Sequence, residues 1–77
     1  MKNKTQKITF ALDGLYIELI GLLKLLNIAE TGGHAKLLVD EGLVFRNGEV
    51  ELRKRAKLIP GDKITFQDIE IVIVEQQ

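Results

Sequence analysis

The sequence predicts an α+β fold, with two adjacent helices packed on one side of a small, mainly antiparallel sheet. Three observations lead there. Leu15, Leu19, Leu22, Leu23 and Leu26 recur at helical spacing. A second, shorter stretch of the same period, Ala35, Leu38 and Val39, lies between a capping threonine, Thr31, and a glycine, Gly42. The remaining chain is short alternating or apolar runs punctuated by the turn signals Asn47-Gly48 and Ile59-Pro60-Gly61-Asp62.

Taken in order, the first five or so residues and the last two are polar and expected to fray. Lys7-Ile8-Thr9-Phe10 alternates and suits a short strand, and Asp13-Gly14 offers a turn and a helix cap. From Leu15 the spacing predicts an amphipathic helix of about three turns, with Glu18, Gly21 and Lys24 on its polar side. Thr31-Gly32-Gly33 interrupts it, and Thr31 caps a second helix over 32–40. Its inward residues are Ala35, Leu38 and Val39, Lys36 and Asp40 stand at i,i+4, and Gly42 occupies the C-terminal glycine position. Residues 43–46 and 49–52 form a hairpin around Asn47-Gly48, because that pair accepts the positive φ of a tight turn. Proline and glycine set the next turn at 59–62, and 64–66 and 69–74 complete the strands. There are no repeats, linkers or low-complexity segments, so residues 1–77 are expected to form a single domain with an ordered core at about 7–75.

Composition narrows the function. With 77 residues, 45% hydrophobic and 29% charged, the chain is globular rather than disordered. It sits near the size where one core supplies only a few kcal/mol. It has no cysteine and one histidine, His34, which excludes disulfides, cysteine-ligated metals and multi-histidine metal sites. The apolar stretches 19–26 and 69–74 are too short or interrupted to span a bilayer. The lysine-bearing N-terminus is not followed by the apolar core of a signal peptide. A soluble, cytoplasmic protein is expected. Catalytic signatures are missing too: there is no nucleophile elbow, P-loop or GxGxxG, and nothing nominates a partner that would make His34 a general base. The expectation is no enzyme and no cofactor.

Net charge is zero, from eleven basic and eleven acidic residues, so distribution matters more than total. Segment 46–57 carries Arg46, Arg53, Lys54, Arg55 and Lys57 against Glu49 and Glu51, while acids gather at Asp40-Glu41 and over 68–75. That pattern predicts a basic face opposite an acidic one, and a basic face suits a phosphate backbone. Thr31-Gly32-Gly33-His34-Ala35-Lys36 adds a helix N-terminus with two glycines and a lysine one turn in, also suited to an anion. The alternative for each element is a solvated charge run and a short helix–helix bend. Of the aromatics that could stack on bases, Phe10 and Phe66 are assigned to the core, Tyr16 is left open, and Phe45 shares a strand face with Leu43.

The order of these pieces resembles a known family. Leu22-Leu23-Lys24-Leu25-Leu26, the Thr31–Lys36 segment, Gly42-Leu43-Val44-Phe45-Arg46-Asn47-Gly48, then Arg53-Lys54-Arg55-Ala56-Lys57-Leu58 and Pro60-Gly61-Asp62 are similar to the RNA-binding domain named after ribosomal protein S-four, also called the alpha-L motif. The resemblance spans about 8–75 and is strongest to small stand-alone bacterial members. It implies two helices against a small curved sheet and binding of structured RNA. Carried over by position, it implies contacts from Lys24, Thr31, Gly32, Gly33, His34 and Lys36, and near the hairpin from Asn47, Arg53, Lys54, Arg55 and Lys57; Arg46 is placed at the edge of that surface. Gly32 and Gly33 stand where many members carry an arginine, leaving backbone amides to meet phosphate, and Arg46 stands where a valine is usual.

The function expected is therefore binding of structured RNA, ribosomal or transfer RNA, within a ribosome or another ribonucleoprotein, with no membrane partner. The rival is a protein-interaction adaptor on the same fold, using an apolar patch around Leu43 and Phe45.

Overall fold

The computed structural model describes residues 5–76. Residues 1–4 and 77, on which the expected fraying falls, lie outside the described residues; inside them, the Gln76 amide donates to the Leu12 carbonyl. The chain runs β1 (Gln6–Leu12), β2 (Ile17–Glu18), α1 (Leu19–Leu25), α2 (Gly32–Asp40), β3 (Val44–Arg46), β4 (Glu49–Val50), β5 (Lys57–Leu58), β6 (Lys63–Phe66) and β7 (Ile69–Glu75). Five strands form one sheet in the order β1-β7-β6-β3-β4, and β2 pairs with β5 in a separate ribbon. The β7-β6-β3-β4 ladders are antiparallel, whereas β1 runs parallel to β7 from Gln6 opposite Ile69 to Leu12 opposite Glu75. The α+β expectation holds, with a mixed sheet that is mostly antiparallel.

Alternation decides which sheet face is buried. Ile64 and Phe66, Ile71 and Ile73, and Leu12 turn inward and join Leu19, Leu22, Leu23, Ala35, Leu38, Val39 and Val44 in one apolar cluster. The helices contribute the residues that their 3.6 period puts on one side. Phe66 is buried and Phe10 packs against the cluster, as expected for both.

The second helix has the predicted bounds, and local chemistry explains both ends. Thr31 Oγ1 accepts the His34 amide at 3.0 Å, and Gly42 at φ +74° closes a Schellman motif with Gly42 donating to the Val39 carbonyl and Leu43 to the Leu38 carbonyl. The first helix is shorter than its spacing predicts. It covers seven residues, and Leu15, expected on its inner face, lies ahead of it at 87% exposure. Gly14 at φ +117° turns the chain, and Ile17 and Glu18 are taken into an antiparallel pair with Leu58 and Lys57. The helix then starts without a side-chain cap. Instead its Leu19 amide donates to the Ala56 carbonyl at 2.9 Å and its Ile20 amide to the Lys54 carbonyl at 3.2 Å. Two otherwise orphaned donors are satisfied by the chain that carries the basic run. At its other end Asn27, at φ +61°, makes a second Schellman motif, with Ile28 donating to Leu23 and Asn27 to Lys24.

The Asn47-Gly48 and 59–62 turns form where predicted, with positive φ at Asn47, Gly48 and Gly61. Arg46 takes an inward position of β3, in register with Ile64. No helix among the described residues is long and apolar enough to cross a membrane.

Candidate nucleic-acid interface

The segment after β4 is built around its own carboxylate. Glu51 is buried and accepts Arg53 Nε at 2.9 Å, Arg53 Nη2 at 3.1 Å and the Arg53 amide at 3.1 Å, with Arg46 Nη1 at 3.5 Å. These bonds to Arg53, foremost the side-chain pair, outweigh the cost of burial and hold the Glu51 carboxyl down at about 2. The same pair raises the Arg53 guanidinium above its ordinary value. The chain then turns through Lys54 and Arg55, closed by the Ala56 amide on the Arg53 carbonyl. It enters β5, whose Leu58 is fully buried against the core.

A second buried carboxylate, Asp62, ties that turn to the hairpin. Its Oδ2 accepts Arg46 Nη2 at 2.8 Å and the Ile59 amide at 2.9 Å, and its Oδ1 accepts Asn47 Nδ2 at 3.0 Å. Burial pushes the Asp62 carboxyl up, and the bonds from Ile59, Arg46 and Asn47 together bring it below the ordinary value. Arg46 also donates to the Lys57 carbonyl at 3.0 Å, and Asn47 Oδ1 accepts the Lys63 amide at 2.9 Å. Arg46, expected at the edge of the RNA-contacting surface, thus has its guanidinium spanning Glu51 and Asp62, and Asn47 uses its side chain on the same frame.

On this frame Arg46, Arg53, Arg55, Ala56 and Lys57 line a shallow groove of about 520 Å³. Arg53, 73% exposed, Arg55, 75% exposed, and the exposed Lys57 reach solvent, while Glu51 and Asp62 lie behind at 9% and 10%. Arg55 Nε meets Glu18 at 3.2 Å, and Lys57 Nζ stands 5.0 Å from the centre of the Tyr16 ring. The arrangement is layered, with positive groups outside and negative groups inside. Acids are therefore interleaved with the cluster rather than confined to an opposite face. Asp40 belongs to this pattern too: it pairs with Lys54 Nζ at 2.6 Å, not with Lys36 as its helical spacing suggests.

The other expected residues do not line the groove. Lys54, on Asp40, sits at the C-terminal end of α2, about 13 Å along the helix from Thr31. At the N-terminal end, the Thr31 hydroxyl oxygen is used as a cap but its proton is free to donate. His34 Nδ1 accepts the Glu30 amide at 3.2 Å, leaving Nε2 as the donor. Gly32 and Gly33 are in the first turn, where the helix supplies no acceptor for their amides, and Lys36 is exposed. Lys24 lines an apolar depression with Gly21 and Leu25 on α1. Sequence reasoning did not reach Glu51 and Asp62 as organisers, nor Tyr16 as a neighbour of the groove. A carboxylate two residues before an arginine was visible, but not the fold that buries it.

On the hairpin, Val44 is buried while Leu43 and Phe45 are 39% and 40% exposed. Val50, opposite Phe45, and Leu52 extend that apolar strip.

A family model described as the S4 domain matches residues 10–74. The chain is 39% identical over 59 residues to YbcJ of Escherichia coli (strain K12), covering 77% of this chain and 84% of YbcJ, and equally similar to YbcJ of Shigella flexneri. The solution structure of Escherichia coli YbcJ, described as revealing an alfaL motif involved in RNA-binding, matches at TM-score 0.66 with 37% identity, over 96% of this chain and 91% of that one.

Proposed function

The chain belongs to the S4 domain family, and on that premise we propose that it is a cytoplasmic, non-enzymatic module, one domain over residues 1–77, that binds structured RNA. The observation that carries this reading is the groove that gathers Arg46, Arg53, Arg55 and Lys57 on one surface. The RNA motif described for the similar YbcJ structure supports it. Arg53, Lys54, Arg55 and Lys57 meet phosphates, while Arg46 and Asn47 hold the groove in shape. A second phosphate contact forms at the start of α2 through the Gly32 and Gly33 amides, the Thr31 hydroxyl, His34 Nε2 and Lys36, with Lys24 adding charge from α1. Two separate contact points read the backbone and shape of a folded RNA rather than a linear sequence. Ribosomal or transfer RNA fits that requirement, in a ribonucleoprotein that adds contacts to a small interface. No cofactor is needed.

The test is an anisotropy titration of a structured ribosomal RNA fragment at several salt concentrations. Wild type gives log affinity falling with log salt, and Lys54→Gln with Arg55→Gln lowers affinity and flattens that slope by about two, roughly one for each phosphate contact removed. Unchanged affinity and slope in the double variant would place RNA elsewhere on the molecule.

The apolar strip of Leu43, Phe45, Val50 and Leu52 favours a second reading, a protein-interaction adaptor. Under it no RNA binds even at low salt, and Phe45→Ser abolishes capture of the protein partner.

A further inference from the structure

The geometry points to Tyr16 as a stacking platform for an unpaired nucleobase at the rim of the basic groove, so that the preferred RNA carries an unstacked nucleotide beside its paired segment. This inference rests on reading the groove as an RNA site and adds a recognition element that phosphate contacts do not supply.

Tyr16 stands apart from the other aromatic residues. Phe66 is buried, Phe10 packs against the core, and Phe45 lies on the hairpin. Tyr16 is 45% exposed in the loop between β1 and β2, next to Leu15, which is 87% exposed. A ring placed for core packing would be covered. This one has an ammonium over it, Lys57 Nζ at 5.0 Å from the ring centre, and that same lysine lines the groove.

Its position is fixed from below. Ile17 pairs with the buried Leu58, Glu18 pairs with Lys57, and the Glu18 carboxylate holds Arg55. The backbone that carries the ring is thereby tied to the backbone that carries the groove cations. Every nucleobase presents a π-face, so an exposed ring accepts any of them, while neighbouring cations receive the phosphates on either side. A base held within a continuous duplex cannot present that face, whereas a bulged or looped one can. The result is selection for an irregularity in the RNA rather than for a particular base.

The experiment uses a short fluorescein-labelled RNA duplex interrupted by an unpaired bulge, and the same duplex without it. Wild type is expected to prefer the bulged RNA. Tyr16→Leu weakens binding to the bulged RNA roughly tenfold and leaves the continuous duplex little changed, while Tyr16→Phe, which keeps the ring, retains the preference. The chain has one tyrosine, so tyrosine-selective isotope labelling lets the ring protons of Tyr16 be followed alone by NMR in the unmutated protein. They move upfield when a base stacks on them. Bulged RNA bound equally well by wild type and Tyr16→Leu, or bound without movement of those protons, overturns the stacking role and leaves the groove as an RNA site. Failure of both RNAs to bind wild type at low salt overturns the groove reading together with this one.

Discussion

Replacing Glu51 by glutamine tests whether the groove depends on a buried charge. The variant keeps the shape of the side chain and removes the negative charge that Arg53 and Arg46 share. In the folded protein the carboxyl is held at about 2 against an ordinary 4.5. A depressed carboxyl contributes stability that is present above the ordinary value and lost as pH falls toward the folded one. The shift corresponds to about 2–3 kcal/mol at neutral pH, after allowing for the solvent around the exposed Arg53. Glu51→Gln should therefore lower the thermal midpoint by about 10–20 °C at pH 7. Urea or thermal unfolding of both proteins between pH 7 and 2.5 gives the difference directly. It should stay constant down to about pH 4.5 and shrink progressively below that. The depressed Asp62 carboxyl lowers the acid stability of both proteins, and because it shares Arg46 with Glu51, Asp62→Asn in both backgrounds separates its contribution. A difference under about 1 kcal/mol at pH 7, the size of an ordinary surface pair, or one that stays flat to pH 2.5, would refute the view that Glu51 anchors the basic segment.

Substitutions at three further positions probe the frame by unfolding measurements. Leu58→Ala empties a fully buried site where the small β2–β5 ribbon meets the core; a loss of about 2–5 kcal/mol is expected, and a loss under about 1 kcal/mol would mean that β5 is not part of the core. Gly42→Ala meets only Val50 Cγ2 at an ordinary 3.7 Å, so its cost of about 1 kcal/mol comes from the φ of +74° alone; an unchanged midpoint would contradict that backbone conformation. Thr31→Ala removes the cap on the His34 amide and costs about 1 kcal/mol. Thr31→Ser, which keeps the hydroxyl, should recover it, and failure to do so would point to the methyl group rather than the hydrogen bond.

How much of this was legible in the sequence depended on the range of the interaction concerned. The second helix was readable to its ends because Thr31 and Gly42 act within a few residues of themselves. The hairpin was readable because Asn47-Gly48 carries its own backbone preference. The first helix was read too long because Leu15 and Leu19 fit a helical period. What removes Leu15 from the helix is the pairing of Ile17 with Leu58, a partner far along the chain. A two-residue strand such as β5 has no period to detect. For the site, the basic residues at 53–57 were visible as composition. The charges that organise them were not, since summing charges cannot show that Glu51 and Asp62 are buried or that Asp40 prefers Lys54 to Lys36. Arg46 was the most informative departure: a charge at an inward strand position requires buried anions, and the fold supplies two.

The parallel pairing of β1 with β7 sets the order in which the protein can be completed during synthesis. β1 is made first among the described strands, and its only partner in the sheet is made last. Until β7 emerges, Ile8, Phe10 and Leu12 have no strand beside them, although the helices and the 44–66 region can already associate. The longest ladder of the sheet therefore closes at the end, across nearly the whole chain, and pays the largest loop-closure entropy. A ribosome paused before β7 would hold a nascent chain whose helices and hairpin are made but whose first strand is unpaired, open to a chaperone or to another unfinished copy.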